Sequence, residues 1–236
     1  MISVCLASFN GEKYIKEQID SILIQLGEDD ELIVSDDGST DKTLEIIREF
    51  DDQRIKLYEN NKIHGYTHNF ENALKHTSGD YIFFSDQDDI WLPNKVEIML
   101  PHLVNDNFVI SDGYITNEKL EIISRISSWR AYKKGYFQNL YKSIYAGCTS
   151  AFTKKIKEYV LPFPLTKYVQ HDTWIGLLCE LKFNVIYIEE PLILYRRHKT
   201  NTSSAGSKST KAPFFMFKYR MILFFETLKR WIIRKF

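Results

Sequence analysis

The sequence predicts an α/β fold in which a mostly parallel, twisted sheet is flanked by helices, as in Rossmann-like domains. Short apolar runs alternate with segments of helical periodicity through the first hundred residues. Such a rhythm produces parallel strands joined by right-handed crossovers. The chain has 236 residues, of which 44% are hydrophobic. That length supports one large domain with a substantial core and is short for two.

Four apolar runs in the first half are predicted strands, and each is followed by a polar turn. They are ISVCLA (2–7), ELIVS (31–35), RIKLYE (54–59) and DYIFFS (80–85). Between them, apolar residues recur at helical spacing, as in Ile15, Ile19 and Ile22 ahead of Gly27. This half therefore predicts repeated strand–helix units.

The alternation is looser in the second half. NFVISDG (107–113) predicts a strand, AGCTSAF (146–152) a loop or strand, and 168–182 a helix. FNVIYIE (183–189) and LILYRRH (192–198) predict two further strands.

Charge and cysteine content narrow the functional classes. Residues 1–100 hold 9 Lys and Arg against 21 Asp and Glu, whereas the remainder holds 22 against 10. The acidic first part argues against a nucleic-acid binder and suits a cation site, and the basic second part suits anionic substrates or a membrane surface. Cys5, Cys148 and Cys179 are scattered, which predicts a reducing compartment. Without a signal peptide or an apolar run approaching about 18 residues, we expect a cytosolic protein or one held on a membrane without crossing it.

Polar residues follow three of the predicted strands: Ser8 to Asn10, Asp36-Asp37, and Asp86 to Asp89. Ligands of open α/β sheets gather beyond the carboxyl ends of the strands. The three segments therefore predict one crevice.

The acidic cluster has two interpretations. Asp86 and Asp88 lie one residue apart on the same side of an extended segment, where they could share Mg²⁺ or Mn²⁺. The alternative is a polar loop that caps a helix near Pro93. Asp36 and Asp37 could likewise accept hydrogen bonds from a base or ribose, or could serve turn and capping chemistry alone.

Four segments share their order and spacing with a known family. They are SVCLASFNGEKYI (3–15), IVSDDGSTDKT (33–43), GDYIFFSDQDDIWLPNK (79–95) and HDTW (171–174). Together they resemble family 2 glycosyltransferases, inverting enzymes of the GT-A fold that use nucleotide sugars. With GCTSAF and YRRH added, the set is most similar to bacterial transferases that make rhamnose-containing surface polysaccharides such as capsule or O-antigen.

The resemblance implies roles for the donor side. The nucleotide-sugar would contact Ala7, Ser8, Phe9, Asp36, Asp37, Asn69, Asp86, Gln87 and Arg197. Asp37 would accept from the base with Asp36 in support, although His68 replaces the Arg that usually precedes Asn69. Mg²⁺ or Mn²⁺ would be held by Asp88, Asp86 and His198.

On the acceptor side, the resemblance implies that Asp172 is the general base, with His171 replacing the common Glu. The other residues implied near the acceptor are Trp91, Gly147, Cys148 and Trp174. The donor would be a dTDP-sugar, dTDP-L-rhamnose first, and the acceptor a saccharide or lipid-linked saccharide. Rival interpretations are a UDP-hexose donor, a nucleotidyltransferase, and a non-catalytic scaffold that binds a nucleotide sugar.

The expected organisation is a GT-A domain over residues 1–200, followed by a flexible linker (201–212) and a basic, aromatic helix (213–236). Within the domain, residues 1–110 would bind the nucleotide sugar and residues 111–200 would form the acceptor side. In the tail, Arg220, Arg230 and Arg234 are expected opposite the apolar face formed by Phe217, Met221, Phe224, Phe225, Leu228, Trp231 and Ile232. This pattern fits a helix lying on the inner face of the plasma membrane, or else one packed on its own domain or on a partner subunit.

Overall fold

The computed structural model describes residues 1–129, 131–166, 168–199, 201 and 213–234. The predicted linker, apart from Asn201, lies outside these residues. The strands described are β1 (Ile2–Ser8), β2 (Glu31–Asp36), β3 (Ile55–Glu59), β4 (Tyr81–Asp86), β5 (Ile90–Trp91), β6 (Phe108–Thr116), β7 (Ile122–Arg125), β8 (Ser150–Thr153) and β9 (Val185–Arg196). The α-helices described are α1 (Ile15–Leu23), α2 (Thr43–Arg48), α3 (Tyr66–His76), α4 (Lys95–Met99), α5 (Ile126–Trp129), α6 (Tyr136–Tyr141), α7 (Lys154–Val160), α8 (His171–Lys182) and α9 (Pro213–Ile233).

The strands form one sheet with the order β3-β2-β1-β4-β8-β6-β9-β5, and β7 pairs with β6. The first four strands in this order are parallel, as the strand–helix rhythm predicts. The other half is mixed: β8 runs antiparallel to both β4 and β6, whereas β6 and β9 are parallel. A mostly parallel sheet is therefore correct for the first half alone.

The two strands predicted at 183–189 and 192–198 are one continuous strand, β9. The sequence Glu189-Glu190-Pro191 suggested a turn, but the chain crosses it in extended conformation. The register of β9 on β6 shifts between Ser111 and Asp112, and the irregularity accommodates Pro191. Proline is tolerated in a sheet at such a bulge because it lacks an N–H to donate.

Two apolar layers cover the faces of the sheet. One contains the buried side chains of α1 and α4, such as Ile19 and Met99. The other contains those of α3, α7, α8 and α9, such as Phe70, Leu178 and Leu223. A helix whose buried residues lie on one side is stabilised chiefly by this packing.

Helix α9 packs on its own domain with Arg220 and Arg230 facing inward, which is one of the placements that the sequence left open. Arg230 donates to the carbonyl oxygens of Tyr159 (3.0 Å) and Leu161 (2.7 Å) and also to that of Pro162, beyond the end of α7. Arg220 donates to the Tyr141 carbonyl (3.0 Å). The guanidinium groups thus satisfy carbonyls that helix ends leave without partners. Within the described ranges, no helix has the length and apolar character needed to cross a bilayer.

Candidate active site

The carboxyl ends of three parallel strands meet at one edge of the sheet, as predicted. In the register, Ser8 of β1 lies beside Asp36 of β2, and Ala7 lies beside Asp86 of β4. Asp37 follows directly, and its backbone N–H donates to the Ser8 carbonyl (2.9 Å). The expected crevice is therefore present, with carboxylates on both sides of the end of β1.

Asp36 shapes the turn after β2. Its buried carboxylate accepts hydrogen bonds from the backbone N–H groups of Gly38 (3.0 Å) and Ser39 (2.7 Å) and from the hydroxyls of Ser8 (2.8 Å) and Ser39 (2.6 Å). Gly38 has φ +88°, which favours glycine. Asp36 therefore shapes the turn that leads away from Asp37.

Asp37 also accepts several hydrogen bonds. Asn60 Nδ2 donates to Oδ1 (2.8 Å), Gly65 N donates to Oδ2 (2.7 Å), and His64 Nδ1 lies 3.2 Å from Oδ1. These contacts connect the end of β2 with the loop that precedes α3. Asn60 and His64 were not predicted, because polar residues in a loop carry no distinguishing pattern.

Asn69 is buried, and both the oxygen and the nitrogen of its side-chain amide form hydrogen bonds within the protein. Its Oδ1 accepts from Ser35 Oγ (2.6 Å), and its Nδ2 donates to the Ser8 carbonyl (3.0 Å). The prediction that Asn69 contacts the donor is therefore corrected: in this structure it links α3 to the ends of β1 and β2.

Gln87 supports the loop that carries Phe9. Its Oε1 accepts from Phe9 N (2.8 Å) and its Nε2 donates to Phe9 O (3.0 Å). A Cβ at Gly11 would lie 2.3 Å from Gln87 Oε1, so a larger residue there would displace the Gln87 side chain from Phe9. Phe9 is 51% exposed at the crevice, and Ala7 is partly exposed. Both can contact a bound nucleotide, whereas Gln87 acts by fixing the loop.

The acidic cluster after β4 is crowded and partly desolvated. Burial raises the pKa of Asp86 to about 7, and the charges of Asp88 and Asp172 add to the shift. Burial also raises the pKa of Asp89, whose Oδ1 accepts from Arg196 N (3.1 Å). Carboxylates this close favour a neighbouring cation, because each disfavours ionisation of the others.

A buried lysine lies beneath this cluster. Lys95 Nζ donates to the Cys148 carbonyl (2.6 Å) and lies 4.3 Å from the centre of the Trp91 ring. Burial lowers the pKa of Lys95 to about 8. The burial of this lysine could not be predicted, since a Lys after Pro-Asn is typical of an exposed helix start.

Asp88 is held by residues from the loop after β9. His198 Nε2 lies 2.7 Å from Asp88 Oδ2, and Asn201 Nδ2 donates to the same oxygen (3.1 Å). Arg196 donates to the Asp88 carbonyl (3.0 Å) and to Glu17 Oε2 (2.6 Å). Arg197, expected near the diphosphate, is partly exposed beside His198, and its backbone N–H donates to Thr116 O (2.9 Å).

These residues fit the divalent cation that the resemblance implies. Asp86 and Asp88 offer carboxylate oxygens, which suit Mg²⁺ or Mn²⁺, and His198 Nε2 lies beside Asp88 as a further candidate ligand. The side-chain donor atoms of Asp86, Asp89 and Cys148 also lie within 4.8 Å of one another. Cys148 is buried, and burial raises the pKa of its thiol. Cys148 was expected on the acceptor side. Its buried thiol lies instead beside the carboxylates of Asp86 and Asp89, so this prediction is corrected.

Asp172 lies in the first turn of α8, near the acidic cluster. The pKa values of Asp86, Tyr66 and Tyr219 are raised. Burial is the largest cause for each group, and the charge of Asp172 is a smaller one. Gln170 joins the two tyrosines, since its Nε2 donates to Tyr66 Oη (3.0 Å) and its Oε1 accepts from Tyr219 Oη (3.5 Å). The candidate base is thus flanked by two phenol groups that the sequence motifs did not reveal.

His171 is enclosed beside the candidate base. Its ring stacks on Phe70 at 4.1 Å, and neither nitrogen has a hydrogen-bond partner among the described residues. Burial lowers its pKa to about 3, so the ring is neutral. A Cβ at Gly147 would lie 2.4 Å from His171 Nε2, so glycine is required there. The His171 ring therefore packs between Phe70 and Gly147, next to Asp172 in the sequence.

Two tryptophans predicted on the acceptor side belong to the core. Trp91 is 2% exposed and packs against Phe83. Trp174 is 1% exposed, and its Nε1 donates to the Val160 carbonyl (3.0 Å). Both predictions are corrected, because these rings are covered by protein on all sides.

Comparison with known proteins gives several bacterial relatives. The chain is 30% identical over 89% of its length to the Escherichia coli UDP-Glc:alpha-D-GlcNAc-diphosphoundecaprenol beta-1,3-glucosyltransferase WfgD, covering 83% of that protein. It is 30% identical over 85% of its length to the Shigella flexneri dTDP-rhamnosyl transferase RfbG, covering 74% of it. The Bacillus subtilis putative teichuronic acid biosynthesis glycosyltransferase TuaG is 26% identical, with 92% of this chain and 87% of TuaG covered.

Solved structures with low sequence identity share the fold. Staphylococcus aureus TarS 1-349 in complex with UDP-GlcNAc superposes with TM-score 0.68 at 16% identity, covering 94% of this chain and 65% of the TarS chain. The mannosyltransferase PcManGT from Pyrobaculum calidifontis, in complex with GDP-Man and Mn²⁺, gives TM-score 0.62 at 18% identity, covering 86% of this chain and 58% of the other. The fold is therefore GT-A. The family model described as glycosyl transferase family 2 matches residues 3–159. The chain belongs to glycosyl transferase family 2 and is a glycosyltransferase.

Proposed function

We propose that the chain is an inverting, metal-dependent transferase that moves a sugar from a nucleotide diphosphate sugar to a hydroxyl of a growing or lipid-linked polysaccharide. The observation that carries the proposal is that the start of α8, which bears Asp172, packs beside the end of β4, which leads into the acidic cluster: the ring centroids of His171 and Phe84 lie 5.8 Å apart. A base and a leaving-group site must lie close together for one displacement to occur.

In the proposed reaction, an acceptor hydroxyl loses its proton to Asp172 as its oxygen attacks the anomeric carbon. The bond from that carbon to the diphosphate oxygen breaks on the opposite face, and the nucleotide diphosphate leaves with the electron pair. One displacement with one base inverts the configuration, so no carboxylate nucleophile is required.

The residues around these two groups hold them in place. A cation at Asp86, Asp88 and His198 would supply positive charge to the departing diphosphate. Asp37 and Phe9 would contact the base, since they lie where β1 and β2 end. The buried, neutral His171 brings no positive charge beside Asp172, so it does not weaken this carboxylate as a proton acceptor.

We propose dTDP-L-rhamnose as the first donor to test, on the motifs shared with rhamnose-polysaccharide transferases and the similarity to RfbG. A UDP-hexose is the second candidate, favoured by the similarity to WfgD, whose name specifies UDP-glucose. A lipid-linked acceptor would place the protein on the cytoplasmic face of the plasma membrane.

The proposal is tested by calorimetry with dTDP-, UDP- and GDP-sugars, each with Mg²⁺, with Mn²⁺ and with a chelator. We expect one nucleotide class to bind in a metal-dependent manner. Asp172→Asn should keep donor binding and lose turnover by at least about a hundredfold. A scaffold would show no turnover in either protein, and a nucleotidyltransferase would release diphosphate from a nucleoside triphosphate; either result would refute the proposal.

A further inference from the structure

Helix α9 presents opposite kinds of residue on its two faces. The inner face packs on the domain: Leu223 is fully buried, and the hydroxyls of Thr227 and Tyr136 lie 2.6 Å apart. Arg220 and Arg230 also point inward, where they bond to backbone carbonyls. These two arginines are therefore occupied within the protein.

The outer face of α9 is an apolar stripe. Phe214, Phe217, Phe225 and Ile232 lie along it and are 48–79% exposed, and Ile233, at the end of the helix, is 61% exposed. They recur at helical spacing, so they lie along one line about 27 Å long on the solvent side. Single exposed apolar residues are ordinary, but a continuous row on one helix marks an interaction surface.

Helix α6 extends this stripe sideways. Phe137 and Tyr141 are exposed by 74% and 68%, and the Arg220 guanidinium lies 4.3 Å from the centre of the Tyr141 ring. The hydrogen bond between Tyr136 and Thr227 fixes the two helices against each other. We call the exposed apolar residues of both helices the α6–α9 surface: Phe137, Tyr141, Phe214, Phe217, Phe225, Ile232 and Ile233.

Lysines border the α6–α9 surface. Lys218 and Lys229 are exposed on α9, and Lys133 and Lys142 are exposed at the two ends of α6. Glu226 is the single acidic residue of α9. A two-fold dimer through this surface would bring the same lysines of two copies together, whereas an anionic lipid surface would attract them.

We propose that the α6–α9 surface binds a lipid bilayer by inserting its apolar side chains at the interface, with the bordering lysines in contact with lipid headgroups. The inference rests on the proposed function, because an enzyme acting on a lipid-linked acceptor must meet the bilayer. The same helix carries Tyr219, which bonds to Gln170 two residues before Asp172. Binding through α9 thus holds the acceptor side of the crevice close to the lipid surface.

The test is vesicle co-sedimentation of the full chain with phosphatidylcholine alone and with about 30% phosphatidylglycerol added, at about 0.05 M and about 0.5 M salt. We expect binding that is stronger with phosphatidylglycerol and that largely persists at high salt, because insertion of apolar side chains dominates. Phe217→Ser with Phe225→Ser should weaken it at least about tenfold. Ile24→Ser is the matched control, since Ile24 is 78% exposed and follows α1, on the opposite face of the sheet.

Unchanged binding in the double variant, or equal loss in the control, would overturn the inference. Absence of vesicle binding by the unaltered chain would also overturn it. The inference would also be overturned if the unaltered chain formed a dimer that dissociated in the double variant while neither protein bound vesicles. That result would assign the surface to a second copy of the chain. Calorimetry of the unaltered chain with the nucleotide separates the two proposals. Donor binding without vesicle binding refutes this inference alone, whereas the absence of metal-dependent donor binding refutes the proposed function.

Discussion

The buried His171 should make the stability of the protein depend on pH. In the folded chain burial lowers its pKa to about 3, whereas an exposed histidine titrates near pH 6.5. The unfolded chain therefore binds a proton here at a pH where the folded chain does not. The contribution of His171 to the free energy of unfolding is fully present above about pH 6.5 and is lost as pH falls from there toward about 3.

The size of the effect follows from the two pKa values. Each pH unit in this window changes the free energy of unfolding by about 1.4 kcal/mol per proton. Between about pH 8 and about pH 5, His171 should account for a loss of about 2 kcal/mol. Urea unfolding at both pH values measures it, with His171→Leu as the variant that cannot titrate. We expect the loss of stability on acidification to be smaller in the variant by about 2 kcal/mol.

The control is His102→Gln, because His102 is exposed and its removal should leave the pH dependence unchanged. If His171→Leu loses as much stability on acidification as the unaltered protein, the histidine is protonated or solvated in the folded state. The description of His171 as a buried, uncharged ring beside Asp172 would then be refuted.

Three further changes test the site and its supports. Gly147→Ala would place a Cβ 2.4 Å from His171 Nε2, so we expect a loss of about 1–3 kcal/mol in urea unfolding and reduced turnover; unchanged stability would contradict the close contact. Arg230→Gln removes donors from three carbonyls and should destabilise the chain by about 1–2 kcal/mol, whereas the neighbouring exposed Lys229→Gln should not; equal effects would refute the inward orientation. Tyr219→Phe should raise the acceptor KM several-fold at an unchanged donor Kd, and a changed donor Kd would place Tyr219 elsewhere.

The strand ends that form the crevice could be predicted because each strand is a short apolar run closed by turn residues. The polar segments after β1, β2 and β4 could therefore be assigned to one edge before their contacts were known. Asp36 shows the limit of predicting side-chain roles from strand ends, because its sequence pattern is compatible with ligand binding and with turn chemistry. Its carboxylate accepts three hydrogen bonds from the turn and one from Ser8 of β1, so the structure shows its part in turn chemistry.

Burial of polar and aromatic motif residues could not be predicted from the sequence. Trp91 and Trp174 lie in motifs that suggest contact with a ligand, but packing decides which way a ring points. The sequence places the arginines of α9 opposite its apolar face, but it does not show which side meets the domain, where carbonyls beyond α7 accept hydrogen bonds from Arg230. Tyr66 and Tyr219 are 153 positions apart in the chain, and local pattern cannot reveal that they share Gln170.

The most direct test of the central claim is a crystal structure with Mn²⁺ and the nucleotide selected by calorimetry, using anomalous scattering to locate the metal. We expect the anomalous peak beside the carboxylates of Asp86 and Asp88, with the diphosphate against it and the base between Phe9 and Asp37. A peak away from these carboxylates, with the nucleotide in another part of the molecule, would contradict the claim.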